Sequence, residues 1–135
     1  MNSRDKGKRG ELEFAHFLKD NHGIDARRGQ QFSGGNESPD VVGVPGLHLE
    51  VKRVESLNIH AAVAQATKDA AGLPWAVAHR RNGGKWLVTV DASHYFNLRT
   101  TMSELIAKVV ELETFHSDGH IHELHATDAQ ADDGG

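Results

Sequence analysis

Apolar residues recur at helical spacing between Lys8 and His22, where Leu12, Phe14, Ala15, Phe17 and Leu18 gather on one side before Gly23 ends the run. Ile24 to Arg28 reads as a short strand, and Gly29 to Ser38, with Gly34, Gly35 and Asn36, has turn chemistry without periodicity and is expected to be an exposed mobile loop. Asp40 to Val44 and Leu47 to Val54 alternate as two strands of a hairpin turning at Pro45-Gly46. Asn58 can cap a helix over Ile59 to Ala71, whose Ile59, Ala62, Val63, Ala66 and Ala70 form a narrow small-residue face, and Gly72 and Pro74 stop it. Trp75 to Arg80 and Lys85 to Val90 are strands joined through Asn82-Gly83-Gly84. Thr101 with Glu104 makes a capping box for a last helix, in which Leu105, Ile106, Val109, Val110 and Leu112 fill a side expected to pack on the domain. The order α-β-β-β-α-β-β-α predicts an α/β (mixed α+β) domain with a central mixed sheet flanked by helices.

A chain of 135 residues has room for one such domain, assigned to residues 1–115, followed by an acidic, histidine-containing tail over 116–135. No apolar run is long enough to span a membrane and no hydrophobic stretch follows the basic N-terminus, so the protein is expected to be soluble and cytoplasmic. With no cysteine, disulfides, thiolate nucleophiles and cysteine-ligated metals are excluded, and any metal must be held by oxygen or histidine. The net charge of −4 averages two unlike segments. Residues 1–99 carry 14 Lys and Arg against 11 Asp and Glu, a net +3, whereas residues 100–135 carry 1 against 8, a net −7. The basic part suits a phosphate-rich partner.

The chemistry concentrates in the first hairpin. Side chains on a strand repeat every two residues, so Glu50 and Lys52 share a face that Val51 does not, and the turn at Pro45-Gly46 can bring Asp40 beside Glu50. Hydrolysis of a phosphodiester calls for a hard divalent ion held by oxygen ligands, which Asp40 and Glu50 supply, while an ammonium such as Lys52 can orient water and stabilise transition-state charge. On the first helix Glu11 falls within the apolar arc, whereas Glu13 and Asp20 fall opposite. A carboxylate placed there calls for a metal or a basic partner; the competing reading is a solvated acid favoured by the helix dipole. A Pro-Asp followed by Glu-x-Lys also occurs on surface strands that merely pair their charges.

Lys6-Gly7-Lys8-Arg9-Gly10-Glu11 before a helix, the Ser33-Gly34-Gly35 loop, Pro39-Asp40, Glu50-Val51-Lys52 and Gln65 on a helix resemble, in order and approximate spacing, the archaeal-type Holliday-junction resolvases of the PD-(D/E)XK nuclease superfamily, a group also found in some phages. The resemblance covers Lys6 to Val90. It implies a restriction-endonuclease-like fold, Glu11, Asp40 and Glu50 as ligands of Mg2+ or Mn2+ with the Val51 carbonyl as a further one, and Lys52 as the catalytic lysine. Ser33 would match a mobile-loop serine near the scissile phosphate, with Ser38 as a competing match, and Gln65 would line the site. It also implies a homodimer that nicks opposing strands of a four-way DNA junction, leaving 5′-phosphate and 3′-hydroxyl ends.

Lys6, Lys8, Arg9, Arg27, Arg28, Arg53, Arg80 and Arg81 are candidate phosphate contacts at the helix start and strand ends. Trp75 and Trp86 lie within β patterns and are read as core or interface residues rather than base-stacking platforms. His120 and His122 could share a strand face in the tail, but no rigid frame supports a metal site there. Two other functions fit the same residues: a restriction- or repair-type nuclease acting on duplex or flap DNA, and a non-catalytic DNA-binding accessory protein in which the acids and lysine form a structural ion network.

Overall fold

The computed structural model describes residues 3–29 and 39–130, over 118–130 by backbone alone; Ser33 and Ser38 lie outside the described residues. The chain divides into two compact units, Met1–His94 and Tyr95–Gly135.

Within the first unit the elements are helix α1 (Ser3–His22), strands β1 (Arg27–Arg28), β2 (Val41–Val42) and β3 (His48–Arg53), helix α2 (Ile59–Ala70), and strands β4 (Trp75–Arg80) and β5 (Leu87–Val90). They make a five-stranded sheet in the order β1-β2-β3-β4-β5. The pairs β1–β2, β2–β3 and β4–β5 are antiparallel, whereas β3 and β4 run parallel, as strands joined through a helix can. This is the mixed sheet flanked by helices that the element order predicts.

The two sheet faces are packed by different helices. Phe14, Ala15 and Leu18 of α1 bury against Val41, Leu49, Val51, Ala76 and Ala78. On the other face Ala62 and Ala66 of α2 meet Val77, with Leu57, Ile59 and Trp75 at the margin. Alternation along β3 therefore sends Leu49 and Val51 toward α1 and leaves His48, Glu50 and Lys52 for the other face. Trp86 is partly buried and stacks obliquely over Phe14 of the core, ring centroids 4.8 Å apart. The Asn58 side chain caps α2 by accepting from the Ala61 amide at 3.1 Å.

Several boundaries and one helix phase differ from the periodicity, with β2 shortened to Val41–Val42 and β5 to Leu87–Val90. Helix α1 starts at Ser3, because its first turns are built from exposed polar residues that favour helix without marking an apolar face. Leu12 is 46% exposed, while Glu13 lies against the strand ends. The cause is Gly10, where a Cβ would stand 2.6 Å from Cβ of Arg53. The helix approaches β3 through Gly10, Phe14 and Phe17, so Glu13, one turn from both Gly10 and Phe17, shares that side and Leu12 does not. Strand β1 is cut to Arg27–Arg28.

Helix α3 (Ala92–Gln130) begins in the first unit and forms the described part of the second. It starts ahead of the expected capping box, because Asp91 accepts from the His94 amide at 3.2 Å and no glycine or proline interrupts the chain before Thr101. Leu105, Ile106, Val109, Val110 and Leu112, assigned by the sequence to a packed face, are 53–59% exposed. The backbone is helical through the segment where a strand would have aligned His120 with His122.

Candidate active site

The β2–β3 hairpin sets the centre of the site. The Asp40 amide donates to the Leu49 carbonyl at 2.8 Å, and the Gly29 amide donates to the Asp40 carbonyl at 2.9 Å. Gly29 is needed there, since a Cβ would stand 2.0 Å from the Pro39 carbonyl oxygen. With its backbone so held, Asp40 turns its carboxylate inward, where Oδ2 accepts from the Val51 amide at 2.8 Å.

Asp40 and Glu50 are buried and hydrogen-bonded to one another through their side chains. Burial, followed by this hydrogen bond to Glu50, pushes the Asp40 carboxyl up to about 7, against the opposing pull of the Val51 amide and Lys52. Burial also raises Glu50 above the usual carboxylate range. Glu50 Oε1 also lies 2.7 Å from Nε2 of His48, a buried imidazole that burial biases toward its neutral form.

Glu11, on α1, lies within electrostatic range of both acids and is itself raised, first by burial. Its Oε2 accepts from Nε of Arg28 at 2.8 Å. Lys52 reaches across to α2, where Nζ donates to Oε1 of Gln65 at 3.0 Å, and its charge acts on Asp40 and Glu50. Asp69, buried one helical turn beyond Gln65, adds its charge to Glu50 and His48.

Of the residues singled out in the sequence, Glu11, Asp40, Glu50, Lys52 and Gln65 thus come together, from α1, the β2 entry, β3 and α2. Val51 contributes its amide to Asp40. Ser33 lies outside the described residues. Among the candidate phosphate contacts, Lys6, Lys8, Arg9, Arg27 and Arg81 are exposed. Arg28 is engaged by Glu11, and Arg53 and Arg80 both pair with Glu13.

Two members escaped the sequence reading. His48 continues the alternation of Glu50 and Lys52 one step upstream, and Asp69 is the sole carboxylate of α2. Both signals were present as spacing, but neither residue type at those positions demands burial until the sheet and helix are docked.

Among the described residues no three His, Asp or Glu side chains form a closed metal-ligand group. The arrangement is a buried two-carboxylate pair with Glu11 beside it. The donor set nonetheless fits a hard divalent cation. Glu11, Asp40 and Glu50 lie within electrostatic range of one another, and their oxygens are the hard ligands such a cation takes, with the Arg28 and Lys52 charges acting against their mutual repulsion.

No protein-family model matches the chain, and no curated protein matches it. Among solved structures it is similar to the 1.6 Å structure of Archaeoglobus fulgidus Hjc, a Holliday junction resolvase from an archaeal hyperthermophile, at 26% identity with a TM-score of 0.46, over 63% of this chain and 72% of that one.

Proposed function

We propose that this protein is a divalent-metal-dependent endodeoxyribonuclease of the restriction-endonuclease-like kind that cuts four-way DNA junctions. The observation that carries the reading is the buried Asp40–Glu50 pair, whose carboxyls burial holds above their ordinary values, with the Lys52 amine held beside it by Gln65. The sequence resemblance of these same positions to the archaeal-type resolvases supplies the substrate.

Asp40 and Glu50 would hold Mg2+ or Mn2+, with the Val51 carbonyl and with Glu11 once Arg28 is released from it. The ion, when bound, neutralises charge on the phosphate and lowers the cost of generating hydroxide from water. Lys52 Nζ, its position set by Gln65, orients the attacking water and stabilises the negative charge that develops on the phosphoryl oxygens. Water adds to phosphorus in line as the bond to the 3′ oxygen breaks, leaving a 5′-phosphate and a 3′-hydroxyl. Lys6, Lys8, Arg9, Arg27 and Arg81 supply exposed cations for the backbone, and Arg28, once released, becomes another. Ser33 would approach the scissile phosphate from its loop. A homodimer would bring two such sites to opposing strands.

Incubating the protein with a labelled four-way junction and Mg2+ tests this. Paired nicks on opposing strands are the expected result. Cleavage of duplex or flap DNA instead would assign the site to a restriction- or repair-type nuclease.

One observation favours a non-catalytic reading: Arg28 pairs with Glu11 and His48 hydrogen-bonds to Glu50, so two of the acids already have partners within the fold. On that reading Asp40→Asn binds junction as the parent does, and neither protein cuts DNA with any divalent metal.

A further inference from the structure

Between Tyr95 and Leu112, helix α3 carries a heptad pattern. Tyr95, Met102 and Val109 recur every seven residues, and Leu98, Leu105 and Leu112 recur every seven residues three positions later. Written as abcdefg, the first set occupies a and the second d, the 3–4 alternation that makes a straight seam along one helix side. All six side chains are exposed, the least so being Met102 at 41%. Soluble monomers rarely leave a contiguous apolar stripe of this kind in water.

We infer that this seam is a two-stranded, parallel, in-register coiled coil formed with a second copy of the chain. Leucine at every d position, with β-branched Val109 at a, is the combination that favours two parallel strands. Charge then selects the same arrangement. In a parallel pair each g residue faces the e residue five positions later on the partner helix; Lys108 is at g and Glu113 at e, so every dimer carries two opposite-sign pairs. An antiparallel pair juxtaposes g with g and e with e and loses this match. Ile106, at the intervening e position, widens the apolar seam, as its 56% exposure in the single chain allows.

The seam spans six core positions and about 27 Å of helix, a short zipper whose association is expected to be concentration-dependent. Parallel pairing joins the two copies at Tyr95, so both site-bearing units are attached to the same end. The dimer rests on the heptads alone and holds whatever reaction the first unit performs.

The test is sedimentation equilibrium of the full chain and its variants, with helicity followed by circular dichroism. The parent is expected to dimerise at micromolar concentration and Leu105→Glu to be monomeric. K108E and E113K, each placing like charges across the seam, are expected to weaken the dimer ~fivefold, and K108E combined with E113K to restore it. The last comparison holds even if Leu105→Glu disturbs folding. Because the chain has no cysteine, Leu98→Cys and Leu112→Cys report direction: each is expected to cross-link to its own copy under mild oxidation. A monomeric parent, a trimer, failure of the double charge reversal to restore pairing, or cross-links only between Leu98→Cys and Leu112→Cys chains would overturn the inference.

Discussion

The two faces of the central sheet solve opposite problems with one strand. Toward α1, β3 presents Leu49 and Val51 to Phe14, Ala15 and Leu18, a face where burial alone provides stability. Toward α2 the same strand presents His48, Glu50 and Lys52, opposite a helix whose contacts are mostly alanine. Burying ionisable groups costs free energy unless each finds a partner. Chemistry resides on the second of these faces: one face stabilises the domain, and the other spends part of that stability to hold buried carboxylates beside a lysine.

Changes on the two faces should therefore separate activity from stability. The largest effect is expected for Asp40→Asn, which should lower junction cleavage by ~1,000-fold or more in single-turnover assays while leaving junction affinity within a few-fold. Lys52→Ala should act in the same direction by ~100-fold or more. Phe14→Ala, on the apolar face, should instead cost about 3–5 kcal/mol in urea unfolding and carry no specific metal effect. Comparable stability losses from the Phe14 and Asp40 substitutions would erase the distinction between the faces.

The pH dependence sharpens it further. Asp40 binds its proton more tightly in the folded chain, at about 7, than at its ordinary 3.8, so the folded state holds more protons between these values and stability falls as pH rises through that window. Relative to Asp40→Asn, the metal-free parent should lose on the order of 3 kcal/mol between pH 4 and pH 8, readable in urea titrations across pH. Saturating Mg2+ should recover part of this loss at pH 8 and little at pH 5. His48 works in the opposite sense: burial lowers its proton affinity, so its contribution to stability is lost as pH falls below its ordinary 6.5. The smallest effect is expected for His48→Ala, which removes the neighbour of Glu50 Oε1 and should cost about 1 kcal/mol, with His48→Gln retaining a donor and losing less.

Much of this was legible in the residues because local and global signals agree there. Strand β4 begins and ends where alternation places it, Asn58 caps α2 as its side chain suggests, and the Pro45-Gly46 turn sets Asp40 against Glu50. Lys52 and Gln65, far apart in the chain, meet because β3 and α2 are consecutive elements of one crossover. What stayed hidden depends on tertiary docking. The phase of α1 turns on Gly10 approaching Arg53, a contact no periodicity carries, and this exchanges the environments of Leu12 and Glu13. His48 and Asp69 become site residues only when the polar side of β3 is covered by α2. Helix α3 extends upstream of its capping box because Asp91 provides an earlier cap.

The Asp40–Glu50 pair is most directly tested by calorimetric titration of Mn2+ into the full chain at pH 7, in two buffers of different ionisation enthalpy. The expected result is one saturable site whose filling releases protons from the pair, with binding lost in Asp40→Asn. A parent that binds no divalent ion, or an Asp40→Asn variant that binds equally well with the same proton release, would contradict a metal site at these carboxylates.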